Sequence, residues 1–268
     1  MRSQTRKASR SLGQRGPSPQ RPIRVFVDSH ESRTYVVPHR HLDHMQFLIP
    51  TQGVLKVASA DAFWIVPPKR GIVIPRAFEH STAMLGRATL VVANIHPDAI
   101  EEADACCRVV NVNELIMTLL GTIADMSPEY SPDSPESRLI NVFFDQFRAA
   151  PAEPFRLSRP RNAKLRAIAD TLIATPDDST TLAEWGRRLG ASQRTLARLF
   201  DAETGMGFRD YRKQVQMHAA IGLLATGAPI SQVALDLGYE TPSAFIHAFR
   251  SAMGITPGRF RGVPRADR

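Results

Sequence analysis

Absences narrow this chain first. Of its 268 residues only two are cysteine, and they are adjacent, Cys106-Cys107. Such a pair supplies neither a disulfide framework nor a C-x-x-C motif, so a reduced, cytoplasmic setting is expected. The two thiols read as small buried residues. No run of about 18 apolar residues occurs, which excludes a membrane-spanning helix, and no membrane partner is expected. The opening "MRSQTRKASRSLGQRGPSPQRP" has no acid and no apolar core. It is therefore expected to be a disordered basic tail over residues 1–22, not a secretory signal.

The net charge of +8 is unevenly placed. Residues 1–22 carry six basic and no acidic groups, residues 23–150 carry 11 against 15, and residues 151–268 carry 17 against 11. A mildly acidic centre followed by a basic C-terminal part suggests a sensing or catalytic unit joined to one that meets a polyanion.

From Ile23 to Ile95 the pattern is short β-runs: "IRVFV", "RTYVV", "MQFLI", "GVLKV", "FWIV", "GIVIP" and "TLVVANI". Pro50, Gly53, Pro67-Pro68, Gly71 and Pro75 punctuate them, as in an antiparallel sandwich or barrel. The period then changes, and helices are expected at 112–126 and 135–149, with Leu115, Leu119, Leu139, Phe143 and Phe147 as their apolar face. That face suits a dimer interface or coupling element, and packing back on the barrel explains it equally well. "APAEPFRLSRPRN" is proline-rich and is expected to be a linker over 151–160.

Beyond Arg161 everything is helical in pattern. "TLAEWGRRLGASQRTLARLF" spaces Leu182, Leu189, Leu196, Leu199 and Phe200 for two short helices, with a turn at Gly190-Ala191-Ser192 and Ser192 as N-cap. Burying Leu196, Leu199 and Phe200 turns Gln193, Arg194, Ala197 and Arg198 outward, where guanidinium groups can reach guanine edges. The arrangement recurs in "ISQVALDLGYETPSAFIHAFRSAMG". Here Val233, Leu237, Phe245 and Phe249 form the inner face, and Pro242, Ser243, Ile246, His247 and Arg250 the outer one. A connecting helix of roughly 18 residues, about 27 Å long, separates the two units. Two recognition helices so spaced suit successive major grooves about 34 Å apart. Arg187, Arg188, Arg212 and Lys213 read as solvated or phosphate-facing. Trp185 and Tyr239 read as packing residues, and His218 as a helix surface residue.

From Thr180 to Arg261 the chain resembles the DNA-binding domain of AraC-type transcription regulators. The resemblance rests on "LFDAETGMGFRDYRKQVQMHAAIGLLATG", "ISQVALDLGYETPSAFIHAFRSAMGITPGRFR" and the spacing of the two turns. It implies base contacts from Arg194 and Arg198 in the first unit, and from Ser243, Ile246 and His247 in the second. His247 stands where the family usually has Arg, and Ile246 where a small polar residue is common. The second unit is thus expected to read thymine methyls and shape. Gln216 replaces a frequent Arg, removing an ion pair or a phosphate contact.

Residues 30–95 resemble a cupin barrel of the kind often fused to such domains. Its first motif corresponds to His39, His41, Gln46 and Gly53, and its second to Pro75, Ala77 and His80. The resemblance implies an effector pocket at His39, His41, Gln46 and His80, and the same four as a divalent-metal set. Residues two apart on a strand share a face, so His39 and His41 can point together, while a turn at Leu42-Asp43 resets the register for Gln46. His44 lies in that turn and is not expected to be a ligand. Gln46 is a weak neutral donor where the family has Glu; three imidazoles can still hold a metal, and a metal-free polar pocket is the other reading.

The fold expected is thus α+β in two domains: an N-terminal cupin-like β-barrel followed by helices, then an all-α domain with two helix-turn-helix motifs. Its segments are the tail 1–22, the effector domain 23–97, a helical coupling segment 98–150, the linker 151–160, the DNA-binding domain 161–262 and a tail 263–268. The function expected is sequence-specific DNA binding controlled by a small-molecule effector, without catalysis and with no required cofactor. The partners implied are a double-stranded operator, the effector, RNA polymerase and a second copy of the chain. A metal-dependent cupin enzyme bearing a DNA-binding domain is the competing class, and a purely architectural DNA binder a third.

Overall fold

The structure is a computed structural model, which describes residues 16–30, 34–100, 107–127, 129–153, 155–253 and 255–261. Most of the expected basic tail, Cys106 and the tail 263–268 lie outside the described residues. Residues 16–22 are bonded, contrary to a wholly disordered 1–22: Ser18 bridges Arg21, and the Arg21 guanidinium is 2.7 Å from the Glu129 carboxylate. The chain forms two compact units. The first ends at Arg156; the second begins at Leu157 and also includes Ala60–Phe63.

In the first unit, strands β1 (Ile23–His30), β2 (Tyr35–His39), β3 (Met45–Ala58), β4 (Ala62–Val66), β5 (Arg70–Ile74), β6 (His80–Ile95), β7 (Arg108–Asn111) and β8 (Ala152–Glu153) build the sheet; Ala62–Phe63 of β4 belong to the second unit, as do Leu157–Ser158 of β9 (Arg156–Ser158), which pairs with β4. Its path runs β1-β6-β3-β5-β7-β8 and does not close among the described residues. The expected barrel is corrected to an open sheet. "MQFLI" and "GVLKV" are one 14-residue strand that crosses Pro50 and Gly53 through register shifts, and β6 has 16 residues. Two long strands sharing several short partners take the place of many short strands in a ring.

Alternation along β3 turns Met45, Phe47 and Ile49 to one face, joined there by Val91, Ala93 and Ile95 of β6. Helices α1 (Glu114–Asp125) and α2 (Pro135–Ala149) cover this face with Ile116, Leu119, Leu120 and Ile123, and with Ile140, Phe143, Phe144 and Phe147. The helices therefore pack back on the sheet. Leu119 is buried as expected, but Leu115 is 47% exposed, a correction to the expected face: the stripe is Ile116, Leu119, Leu120 and Ile123. The proline-rich "APAEPFRLSRP" is no bare linker either, since its backbone enters β8 and β9.

The second unit comprises α3 (Ala163–Ala174), α4 (Leu182–Leu189), α5 (Gln193–Thr204), α6 (Phe208–Ala225), α7 (Ile230–Asp236), α8 (Pro242–Met253) and α9 (Pro257–Arg261). Leu165, Ile168, Leu172, Trp185, Leu196, Phe200, Tyr211 and Val215 form one core around α3, α4, α5 and α6. Phe245 and Phe249 of α8 are fully buried, with Tyr239 and Phe260 rings packed against them.

Gly53 has φ +76°, and a Cβ there would lie 2.3 Å from the Arg87 carbonyl oxygen. Gly53→Ala is expected to destabilise the protein by on the order of 3 kcal/mol. Gly121→Ala, in α1 with open space around it, should instead stabilise by about 0.5–1 kcal/mol. Urea midpoints of the two variants measure the contrast.

Candidate functional site

The histidines are brought together by β2 and β6. A register shift between Val36 and His39 sets His39 opposite His80 across the ladder. Pro38, which has no N–H to donate, occupies the irregular stretch of this strand. The His39 and His80 rings stand 4.4 Å apart, centroid to centroid. His41 follows β2, and its carbonyl accepts a 2.7 Å hydrogen bond from the Ala77 N–H. Ala77 adopts φ +61°, rare for a residue with a Cβ, so this loop is strained into the position that delivers His80.

Proton placement follows from the partners. His39 Nδ1 is 2.8 Å from the Val37 carbonyl and His80 Nδ1 3.0 Å from the Phe78 carbonyl. A carbonyl only accepts, so both Nδ1 atoms carry hydrogen, and in the neutral form of each ring Nε2 is the lone-pair nitrogen. Ligand nitrogens of His39, His41 and His80 lie within 4.8 Å of one another. Metal–nitrogen bonds of about 2.1 Å need them roughly 3.4 Å apart, within reach of small side-chain rotations. The Nε2 atoms of His41 and His80 are buried without a hydrogen-bond partner. Burial, reinforced by His44, His39 and His80 and partly offset by Asp43, lowers the His41 pKa from 6.5 to about 4. Burial also holds His80 below the ordinary imidazole range. Neutral imidazoles with convergent lone pairs are donors suited to zinc, copper, nickel or cobalt, not to magnesium or calcium.

Gln46 pairs with Ile74 on one side and Asn94 on the other, on the face of β3 opposite Phe47. His44, set aside in the sequence, lies 4.6 Å from His41, ring centroid to ring centroid. Its spacing from the H-x-H pair matches no strand period, so only the bend at Leu42-Asp43 reveals the proximity.

In the second unit the helix pairs are built by local signals. Thr181 and Glu184 form a capping box at the start of α4, and Gly190 ends that helix at φ +61°. Ser192 caps α5 by accepting from the Thr195 N–H. A Cβ on Gly186 would sit 2.5 Å from the Ala191 carbonyl oxygen, so the turn needs glycine there. With Leu196 and Phe200 buried, Gln193, Arg194, Ala197 and Arg198 are exposed. On α8, Ser243, His247 and Arg250 are exposed and Ile246 is half-buried, outside Phe245 and Phe249.

Three residues differ from expectation. His218 is buried, a correction to its surface assignment, and its ring meets Phe63 edge-on at 5.3 Å. Arg212 is half-buried: its guanidinium donates to the Thr180 carbonyl and lies 4.7 Å from the centroid of the Phe208 ring. Gln216 donates its amide to the Leu237 carbonyl at 2.9 Å, so it makes a structural contact of its own.

Among known proteins, the family described as "Helix-turn-helix domain" matches residues 185–262. The HTH-type transcriptional regulator NimR of Escherichia coli is 31% identical over 215 residues, 80% of this chain and 78% of that protein. A putative AraC-like transcription regulator of Streptomyces antibioticus is 31% identical over 109 residues, 37% of this chain and 36% of that one. The solved structure of unsaturated fatty acid bound ToxT from Vibrio cholerae is 14% identical, covers 95% of this chain and 99% of its own, and has a TM-score of 0.38.

His41 binds a proton more weakly when folded, at about 4, than at the ordinary 6.5. Unfolding therefore takes up a proton between those values, and stability is full above pH 6.5, falls as pH drops, and levels off below pH 4. Urea midpoints measured in chelator from neutral pH downward should decline through this window. His41→Gln should flatten part of the decline; an identical profile would show that His41 is not its source.

Proposed function

Because the chain belongs to the AraC-type family of helix-turn-helix transcription regulators, we propose that it reads an operator with two helix-turn-helix units and answers to a small-molecule effector held in its N-terminal, cupin-like unit. The observation that carries this is the α5 surface: Gln193, Arg194 and Arg198 project from a helix whose other side is fixed by Leu196 and Phe200. Such a helix can enter a major groove, with Arg194 and Arg198 donating to guanine O6 and N7. α8 offers Ser243, His247 and Arg250 with the half-buried Ile246, a surface suited to thymine methyls and backbone phosphates.

The effector site is the histidine cluster, His39, His41 and His80, with Gln46 as the candidate side chain from β3. Buried nitrogens without partners support it, since a ligand that donates hydrogen bonds or accepts lone pairs would satisfy them. Where a divalent metal is that ligand, His39, His41 and His80 would hold it, and it would serve as an anchor for an anionic group. Control requires that the effector bind the DNA-competent state more or less tightly than the other. RNA polymerase and a second copy of the chain are the proposed partners beyond DNA. The chain is read as non-enzymatic, since the similar proteins are regulators. Among the described residues no helix is long and apolar enough to cross a membrane.

Footprinting on promoter DNA beside the gene should give a site-specific footprint spanning two adjacent major grooves. Diffuse, sequence-independent coverage would sink the regulator reading, and metal-dependent turnover of a small substrate lost in His41→Ala would favour an enzyme. Arg198→Ala should weaken operator binding by about 1–3 kcal/mol and leave random-DNA affinity nearly intact. Equal losses on both DNAs would reduce Arg198 to a phosphate contact.

A further inference from the structure

β1 (Ile23–His30) is the outermost strand of the sheet: it stands at the end of the strand order and pairs with β6 alone. Its register with β6 is unbroken, from Ile23 opposite Ile95 to His30 opposite Ala88. The same register continues to Pro22 opposite His96, where the His96 N–H donates to the Pro22 carbonyl at 2.8 Å. Directly opposed residues of an antiparallel ladder alternate between hydrogen-bonded and non-bonded pairs. Pro22 is a bonded position, so Arg24, Phe26, Asp28 and His30 also bond toward β6. The N–H and C=O groups of Val25, Val27 and Ser29 therefore point the other way, to an outer edge that no described strand meets.

Exposed edges are usually blunted by a bulge, a proline or a lysine, or are covered. Within β1 there is no bulge, proline or lysine, and the Val27 side chain is 61% exposed with Ser29 exposed beside it. The strand also complements itself. Laid antiparallel about a two-fold axis at Phe26, IRVFVDSH sets Arg24 opposite Asp28 of the second copy, Val25 opposite Val27, and Phe26 opposite Phe26. The outward-pointing backbone groups then meet, and about eight hydrogen bonds form between the two strands. Arg24 and Asp28 fall in non-bonded pairs, where side chains approach most closely, so opposite charges meet once on each side of the axis. Sliding one strand by two residues keeps the backbone in phase but sets Arg24 opposite His30 or Phe26. A strand of unrelated sequence would need a base and an acid in this same order to match the edge as well.

We propose that the β1 edge docks a second copy of this chain, with two β1 strands paired antiparallel about Phe26 so that one sheet runs through both copies. This rests on the reading that a second copy is among the partners, and it gives that copy a surface and a register.

Sedimentation velocity of the full-length protein over a concentration series tests this. Wild type should be a dimer in exchange with monomer. Val27→Pro removes only an outward N–H and places a ring on the outer edge, where an edge strand tolerates proline. It should leave the fold intact and weaken dimerisation at least about 10-fold. Arg24→Asp and Asp28→Arg each set like charges opposite one another and should each weaken it about 10-fold. Mixed in equal amounts, these two charge variants should dimerise with one another nearly as well as wild type, which a folding defect in either would prevent. Circular dichroism checks that each variant folds; should Val27→Pro not fold, the mixing experiment decides. A wild type that stays monomeric at every concentration overturns the second-copy reading together with the proposal. A wild-type dimer insensitive to Val27→Pro, or charge variants that do not recover on mixing, overturns the β1 edge alone and leaves that reading standing.

Discussion

The close approach of Gly53 to the Arg87 carbonyl is the constraint on which the N-terminal unit depends. β3 and β6 pair from Met45 with Ile95 to Ala58 with Ser81, a ladder that absorbs two register shifts near Gly53. A side chain at residue 53 would collide with the neighbouring backbone and break that continuity. Because the ladder is continuous, one pair of strands performs two tasks. Toward Met45 and Ile95 it exposes an apolar face for α1 and α2, and Phe47 meets Phe147 at 4.9 Å. Toward Ser81 it places His80 where β2 can set His39 against it. Core and candidate site are therefore products of the same hydrogen-bond ladder.

The C-terminal unit relies on α6 in a comparable way. Arg212 and Gln216, one turn apart on that helix, donate to the Thr180 and Leu237 carbonyls. Thr180 precedes the cap of α4 and Leu237 caps α7, so one helix stripe grips both helix pairs. Gly238, at φ +74°, lies within 3.3 Å of Asp177 by its would-be Cβ, which closes the same junction from the loop side. Arg212, which the sequence pattern assigns to solvent or phosphate, thus helps to hold the unit together. The outward residues of α5 and α8 are left over once that packing is satisfied, and this availability gives them their proposed role.

Buried imidazole links the two arguments about the N-terminal unit. Desolvation disfavours the charged form, and three neighbouring rings disfavour it further, so His41 stays neutral well below its ordinary pKa. A neutral ring whose second nitrogen has no partner is a poor core residue and a good electron-pair donor. Ala77, held at φ +61° by its bond to His41, indicates that backbone strain is tolerated to keep the cluster together.

The sequence by itself determined what depends on neighbours a few residues apart. The approximate limits of α1, α2 and α7, the Ser192 cap, the turn at Gly190 and the inner faces of α5 and α8 follow from helical period and capping chemistry, which are local. So did the H-x-H pair and its second-motif histidine, on the strength of resemblance and strand parity. Tertiary structure alone decided the rest. Whether Pro50 and Gly53 end a strand or only bend it depends on β6, some 35 residues away. Which of Leu115 and Ile116 is buried depends on where α1 meets the sheet. His44 joins His41 because the chain bends at Leu42-Asp43, and His218 is buried because Phe63 lies against it. Each of these outcomes is set by a partner distant in the chain, whose position no local pattern encodes.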